Sequence, residues 1–357
     1  MTIAQPSPTQ DALAPADFEH ERVLITTGAR SGLTICVAVH STKLGQALGG
    51  ARVWQYPSWT DALDDALRLS RAMTQKNAVA GIGRGGGKSV IRLPLGVTLT
   101  AEQQRNAMLD LGDAVESLRG AYMTAEDVGT SAELMSIVAE RTSYVCGLPP
   151  EEGGVGEPAD ATASGVYAGI LATLDELFDT RDVAGRHFVI AGLGQVGGRL
   201  AERLAAGGAR LTVADVNQAR KALADRLGAT WADPATVHRT EADLFVPCGL
   251  GGVLTGTVIS ELRVQGVVGA ANNQLATRDG ADQLRQRGIL WAPDFVVNGG
   301  GVIFLALASE PGAEADAIES RVQAIGDTIT AIYRESAAQD VSTLEAAELI
   351  ANARLNG

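Results

Sequence analysis

The sequence predicts an α/β protein of two domains: an N-terminal α/β domain and a Rossmann dinucleotide-binding domain, with a cleft for substrate between them. Three observations carry that prediction. Residues 186–216, "RHFVIAGLGQVGGRLAERLAAGGARLTVADV", read as strand, glycine turn, helix and strand. Further short apolar runs follow, "DLFVPCG", "GVVGAAN" and "ILWAPDFVVNGG", each closing in glycine or polar residues. That is the pattern of a parallel sheet with functional loops at its carboxyl edge. Residues 147–158, "GLPPEEGGVGEP", form a break rich in proline and glycine that marks a domain boundary.

In chain order, residues 1–18 are a loose polar tail. They lack the basic region and apolar stretch of a secretion signal. "RVLITTGARSGLTICVAVH" gives two β-rich runs around a Gly-Ala-Arg-Ser-Gly turn, a hairpin. "SWTDALDDALRLSRAMTQK" reads as a helix opened by a Ser58/Asp61 capping box. Leu63, Leu67 and Met73 lie on or near one of its faces, and Lys76 is at its end. Thr100 and Gln103 open a second helix in the same way. The first domain is expected over 19–146, completed by a C-terminal helix at 340–357. After a helix near 161–178, the Rossmann domain spans 158–325, and the chain is helical from about 314. No internal repeat is visible.

Composition narrows the function. The chain has 357 residues, 46% of them hydrophobic, which suits two domains with cores. No apolar run approaches the roughly 20 residues that span a bilayer. A net charge of −13 argues against nucleic acid or an anionic membrane as partner. Three widely spaced cysteines, Cys36, Cys146 and Cys248, suit a reducing cytoplasm. The histidines (His20, His40, His187, His238) are scattered, and His187 opens an apolar strand as a structural residue. With no zinc motif and no Ser-His-Asp order, no metal is expected. The acid and base of an enzyme here must be lysine or carboxylate.

Gly192, Gly194 and Gly197, with Gln195 and Val196 between them, fit G-x-G-x-x-G. Asp215 ends the next strand 21 residues after Gly194. The first glycine permits the turn, the second admits a pyrophosphate, and the third lets helix and strand pack closely. Asp215 would accept bonds from both ribose hydroxyls and repel a 2′-phosphate, which favours NAD over NADP. Arg220 and Lys221 could compensate a phosphate, but they read as solvated helix residues. A Rossmann fold without cofactor is the competing reading of this motif.

"GIGRGGGKS", residues 81–89, suggests a phosphate-binding loop but fails its spacing, because position 82 is Ile82 where glycine is required. Lys76 and Lys88 stand 12 residues apart around a glycine-rich reversal that can bring both ammonium groups to one spot. A neighbouring cation and desolvation lower a lysine's pKa and suit it to proton transfer. Two surface lysines are the plain alternative.

The chain resembles the Glu/Leu/Phe/Val amino-acid dehydrogenases, in the branch of the leucine, valine and phenylalanine enzymes. The resemblance runs from about residue 30 to 335 through "LGQALGGAR", "AMTQKNAVAGIGRGGGKSV", "TAEDVGTS", "GLGQVGG", "VPCGLGG", "GAANNQL" and "APDFVVNGGG", in the family's order. It implies an oligomeric enzyme, its N-terminal domain serving substrate binding and oligomerisation, for reversible oxidative deamination of an L-amino acid to a 2-oxo acid and ammonia. By motif position, Lys76 would bind the substrate carboxylate with the amides of Gly49 and Gly50. Lys88 would be the general base and acid that activates water. Asp127 would exchange protons with the amino group, and Asn273 would sit by the nicotinamide ribose and the substrate nitrogen. Thr162 would hold the carboxamide, Cys248 and Gly249 would line the adenosine side, and Arg52 would join the cofactor site.

The resemblance also bears on the substrate. Glutamate enzymes of the family carry a lysine before the Gly-Gly pair, where this chain has Leu48. An apolar side chain cannot compensate a desolvated carboxylate. The implied pocket is Leu48, Met73, Ala125, Val302 and Leu305. Ala125 is similar to the leucine type and Leu305 to the phenylalanine type, so branched aliphatic and aromatic substrates both stay open. The chain departs from the family pattern at Ala51, Arg84, Asp160 and Gly299. Those departures leave room for an unusual amino acid of specialised metabolism. A non-catalytic protein that binds NAD or an amino acid is the remaining alternative.

Overall fold

The computed structural model describes residues 18–152, 158–308 and 312–356. The first part of the chain contains β1 (Arg22–Thr27), β2 (Thr34–Ser41), β3 (Ala47–Gln55), α1 (Trp59–Ala80), β4 (Gly85–Leu93), α2 (Ala101–Ser117), β5 (Tyr122–Glu126) and α3 (Ala132–Ala139). Its sheet has the order β1-β2-β4-β3-β5, with β1 and β4 antiparallel to β2, and β3 parallel to β4 and β5. Side chains alternate across the sheet. Cys36, Ala38 and Val90 face α1, while Ile35, Val37 and Ile91 pack with α2 and α3. Both expected capping boxes form, at Ser58/Asp61 on α1 and at Thr100/Gln103 on α2.

The second part begins at α4 (Ala159–Phe178). It continues with β6 (His187–Ala191), α5 (Gln195–Ala206), β7 (Arg210–Ala214), α6 (Lys221–Arg226), β8 (Thr230–Trp231), β9 (Leu244–Pro247), α7 (Gly256–Glu261), β10 (Gly266–Val267), α8 (Gly280–Gln286) and β11 (Leu290–Trp291). These strands form one parallel sheet in the order β11-β10-β9-β6-β7-β8. The order reverses between β6 and β9, the crevice where dinucleotides bind in such sheets. Among the described residues, five helices follow: α9 (Asp294–Val297), α10 (Gly300–Ala308), α11 (Ala315–Gln323), α12 (Ile325–Gln339) and α13 (Thr343–Asn356). The last of them, α13, packs on both α12 and α1. Arg354 donates to Ala78 O and Val79 O, and Arg321 to Ala80 O and Gly81 O, so the carbonyls that end α1 are capped from the far end of the chain.

The structure corrects four local expectations. "GRGGGKS" is not a loop beyond Arg84, since Gly85 to Ser89 lie inside β4. Lys76 is not the end of α1, which runs one more turn to Ala80 before Gly81 closes it with φ 63°. "ILWAPDFVVNGG" is not one strand. Pro293, which has no N–H to donate, follows the two-residue β11, and the chain turns into α9. The helix expected near residue 161 starts at Ala159. Residues 153–157 of the Pro/Gly break lie outside the described residues, as do 1–17 of the tail.

Candidate active site

A cleft of about 490 Å³ lies between the two sheets. It is lined from the first by Leu48, Gly49, Gly50 and Arg52 of β3, Met73 and Lys76 of α1, Lys88 of β4, and Ala125 and Asp127 at the end of β5. From the second come Thr162, Val196, Asn273, Asp294, Asn298, Val302 and Leu305. Residues far apart in sequence thus share one cavity.

The backbone explains how they meet. On β4, residues 86, 88 and 90 share the α1 face, so Lys88 projects toward the helix that carries Lys76. Gly86 makes this possible: a Cβ there would lie 2.1 Å from Thr74 N of α1. On the opposite face, a Cβ at Gly87 would meet the Tyr122 ring at 2.4 Å. These glycines let protein elements approach one another rather than cradle a ligand. Gly50 serves Asp127 in the same sense, because a Cβ there would stand 2.7 Å from Asp127 Cβ. The Tyr122 hydroxyl donates to Gly49 O at 2.7 Å from beneath the Gly-Gly pair. Thr130 ties the turn after β5, accepting from Asp127 N and donating to Ala51 O.

Lys88 is 4% exposed, and its ammonium is 2.9 Å from Asp127 Oδ2. Burial lowers its pKa, against the opposing pull of Asp127, and the nearby Arg52 lowers it further. Burial pushes the Asp127 carboxyl up, but Lys88 and Arg52 more than offset this and hold it below the usual carboxylate range. The pair is a buried base beside an ionised acid.

Lys76 Nζ donates to Asn298 Oδ1 at 2.7 Å, across the cleft. Burial draws its pKa down to about 8, with Asp294 opposing and Lys88 adding to the fall. Asn298 also donates to Asn272 Oδ1 and Ala270 O. Asn273 adopts φ 52°, and its N–H donates to Asp294 Oδ2 at 2.7 Å. Burial raises the Asp294 carboxyl to about 6, against the Asn273 bond and Lys76.

The remaining expected residues line the carboxyl edge of the second sheet. Gly192 has φ 106°, open to glycine alone among common residues. A Cβ on Gly197 would lie 2.1 Å from Gly192 O, yet one on Gly194 would meet nothing within 4 Å. The second glycine therefore faces open space at the start of α5, the position a pyrophosphate needs. Cys248 and Gly249 back the turn, with Cys248 C 2.8 Å from a Cβ built on Gly192. Asp215 follows β7 directly and accepts from Leu193 N and Asn217 N. The residues present fit a dinucleotide.

Lys221 pairs with Asp225 at 3.0 Å. His187 bonds Thr212 Oγ1 within the sheet. Arg84 donates to Gln46 Oε1, and Asp160 pairs with Arg199 at 3.2 Å. Sequence reasoning missed Asp294, Asn272 and Asn298, although all three are polar residues interrupting apolar runs within the quoted motifs. It also missed Asp65, which looked like one more acid on a charged helix face.

The parallel-sheet dinucleotide crevice, the buried lysine–carboxylate pair and the apolar-walled cleft together fit an oxidoreductase that uses a nicotinamide cofactor and acts on a small substrate held in the cleft. Residues 20–144 match the family model described as Glu/Leu/Phe/Val dehydrogenase, dimerisation domain, and residues 212–356 match that described as Glutamate/Leucine/Phenylalanine/Valine dehydrogenase. The chain belongs to this amino-acid dehydrogenase family. It is 38% identical over 340 residues to leucine dehydrogenase of Geobacillus stearothermophilus, covering 95% of this chain and 91% of that one. It is 37% identical over 343 residues to phenylalanine dehydrogenase of Bacillus thermotolerans, covering 94% and 88%. The crystal structure of L-tryptophan dehydrogenase from Nostoc punctiforme is similar with a TM-score of 0.82 at 33% identity, covering 95% of this chain and 96% of that one.

Proposed function

We propose that this protein catalyses the NAD-dependent, reversible oxidative deamination of a hydrophobic L-amino acid, of the phenylalanine or leucine/valine type, to its 2-oxo acid and ammonia. The observation that carries the reading is the buried Lys88–Asp127 pair at 2.9 Å, in a cleft that also holds Lys76 and faces the dinucleotide crevice. The charged Lys76 ammonium and the Gly49 and Gly50 amides bind the substrate carboxylate. Asp127 takes a proton from the substrate ammonium. Bound nicotinamide supplies the hydride acceptor. Neutral Lys88 then removes a proton from water as its oxygen attacks the imino carbon, hands that proton to the amino nitrogen, and takes the hydroxyl proton as the C–N bond breaks and ammonia leaves. Asn273 and Thr162 orient the reactants from the other side of the cleft.

The apolar wall of Leu48, Met73, Ala125, Val302 and Leu305 supports a hydrophobic side chain. Leu48, 2% exposed, gives a second carboxylate no partner. Asp215 at the end of β7 supports NAD over NADP, and the Lys221–Asp225 pair leaves that lysine committed on its own helix. The family model named for a dimerisation domain supports a homo-oligomer. No helix among the described residues is long and apolar enough to cross a membrane, and we place the enzyme in the cytoplasm.

The test is a panel of L-amino acids with NAD and NADP, read by absorbance of the reduced cofactor. Phenylalanine, leucine or valine with NAD should lead. Glutamate as the best substrate would sink the Leu48 argument, and a preference for NADP would sink that for Asp215.

A further inference from the structure

Asp127 presents its two oxygens unequally. Oδ2 receives both the Lys88 ammonium and Arg52 Nε, each at 2.9 Å. Oδ1 accepts no hydrogen bond among the described residues, although both oxygens belong to one cleft-lining carboxylate. Arg52 is itself held from behind. Its Nη1 donates to Asp65 Oδ2 at 3.0 Å, and that same oxygen accepts from the Tyr56 hydroxyl at 2.6 Å. Asp65 Oδ1 accepts from Arg68 at 2.6 Å. The guanidinium is therefore a planar bridge between a carboxylate anchored on α1 and the one at the end of β5. Such a fork fixes the direction as well as the charge of its partner.

We propose that Arg52 is a positioning residue of the reaction: braced by Asp65, it turns Asp127 so that Oδ2 meets Lys88 and Oδ1 is left to the substrate amino group. This rests on the deamination reading above and assigns Arg52 a task other than contact with cofactor. The charges facing Asp127 are Lys88 from β4, Arg52 from β3 and, at longer range, Lys76 from α1. Glu126 is its neighbour in sequence, and Asp65, Arg68 and Tyr56 stand behind Arg52. Arg52 and Lys88 are the cations in contact with Asp127, and Arg52 is the one braced by a second carboxylate. Its charge also opposes protonation of Lys88, so its removal leaves Lys88 paired with an unshared anion and more firmly protonated.

The experiment compares wild type, Arg52→Gln and Arg52→Lys in the full-length enzyme. It reads kcat/KM against pH, KM for NAD and KM for the amino acid. With Arg52→Gln, the limb that rises with pH should move up by about one unit, and kcat should fall at least about tenfold, with KM for NAD within about twofold of wild type. Arg52→Lys should keep the limb near its wild-type position, because the charge remains. Its kcat should still fall, because an ammonium cannot span two carboxylates in one plane. If Arg52→Gln does not fold, Arg52→Lys decides, and wild-type kcat in that variant overturns the proposal. An unshifted limb in Arg52→Gln, or a loss confined to KM for NAD, overturns it too, the latter in favour of cofactor contact. If the wild type is active and the variants fail these marks, only the role of Arg52 falls. If the wild type deaminates no hydrophobic amino acid, the deamination reading falls with it.

Discussion

At the scale of single residues, chemistry turns on burial. No histidine is among the described residues that line the cleft, so Lys88→Ala should cut turnover by about 10³-fold or more. NAD binding, followed by fluorescence titration, should survive, because Lys88 lies outside the glycine turn. Asp127 raises the Lys88 pKa while Arg52 lowers it, so Asp127→Asn should shift the rising pH limb to lower pH, opposite to Arg52→Gln. A limb that moves the same way in both would contradict this electrostatic picture. Lys76 must be charged to hold a carboxylate, yet burial draws it to about 8. KM for the amino acid should therefore climb as pH rises past about 8, a window set by a lysine whose folded-state pKa is depressed. In the pocket, Ala125→Gly opens about a methyl group of space, and Leu305→Val reshapes the opposite wall. The first should raise the phenylalanine-to-leucine ratio of kcat/KM by roughly fivefold, about 1 kcal/mol, and the second should lower it. If neither ratio moves, those residues do not meet the side chain.

At the scale of elements, the contact between α1 and β4 sets the distance between the two lysines. Gly86→Ala drives a Cβ against the backbone of Thr74, which cannot swing aside as a flexible side chain does. Overpacking of this kind costs about 1–3 kcal/mol, and here it also separates Lys76 from Lys88. Urea denaturation should show the loss of stability, and the activity of the folded fraction should fall with it. Full specific activity in a folded Gly86→Ala enzyme would mean that the close packing is not what aligns the pair. The glycine run could be found in the sequence, but its role could not. A run of glycine reads as a loop because its members lack side chains to pattern. Only the partner strands and Tyr122 show that it is a strand pressed from both faces.

At the scale of the whole molecule, α1 belongs to the first sheet but is ended by the last helices. Arg354, though exposed, donates to the carbonyls of Ala78 and Val79 in the last turn of α1. Arg354→Ala should cost about 1 kcal/mol, the net worth of a typical hydrogen bond, because water can reach these exposed partners, seen as a lower Tm. It should also raise KM for the amino acid, because Lys76 lies on the final turns of that helix. A lower Tm with unchanged KM would make the clamp purely structural.

The sequence by itself determined the local and the periodic features. The capping boxes at Ser58 and Thr100, the hairpin of β1 and β2, the strand–turn–helix around Gly192 and the acid at Asp215 are written in neighbouring residues. Their physics acts over a few bonds, so a window of sequence is enough to read them. The resemblance of ordered motifs extended this to Lys76, Lys88, Asp127 and Asn273, which all line one cleft. Tertiary structure alone decided which charges meet. Asp65 with Arg52, Lys76 with Asn298 and Asn273 with Asp294 are separated in sequence by 13, 222 and 21 positions. A pKa depends on desolvation and on charges a few ångströms away, and neither quantity exists until the sheets, α1 and the closing helices have packed.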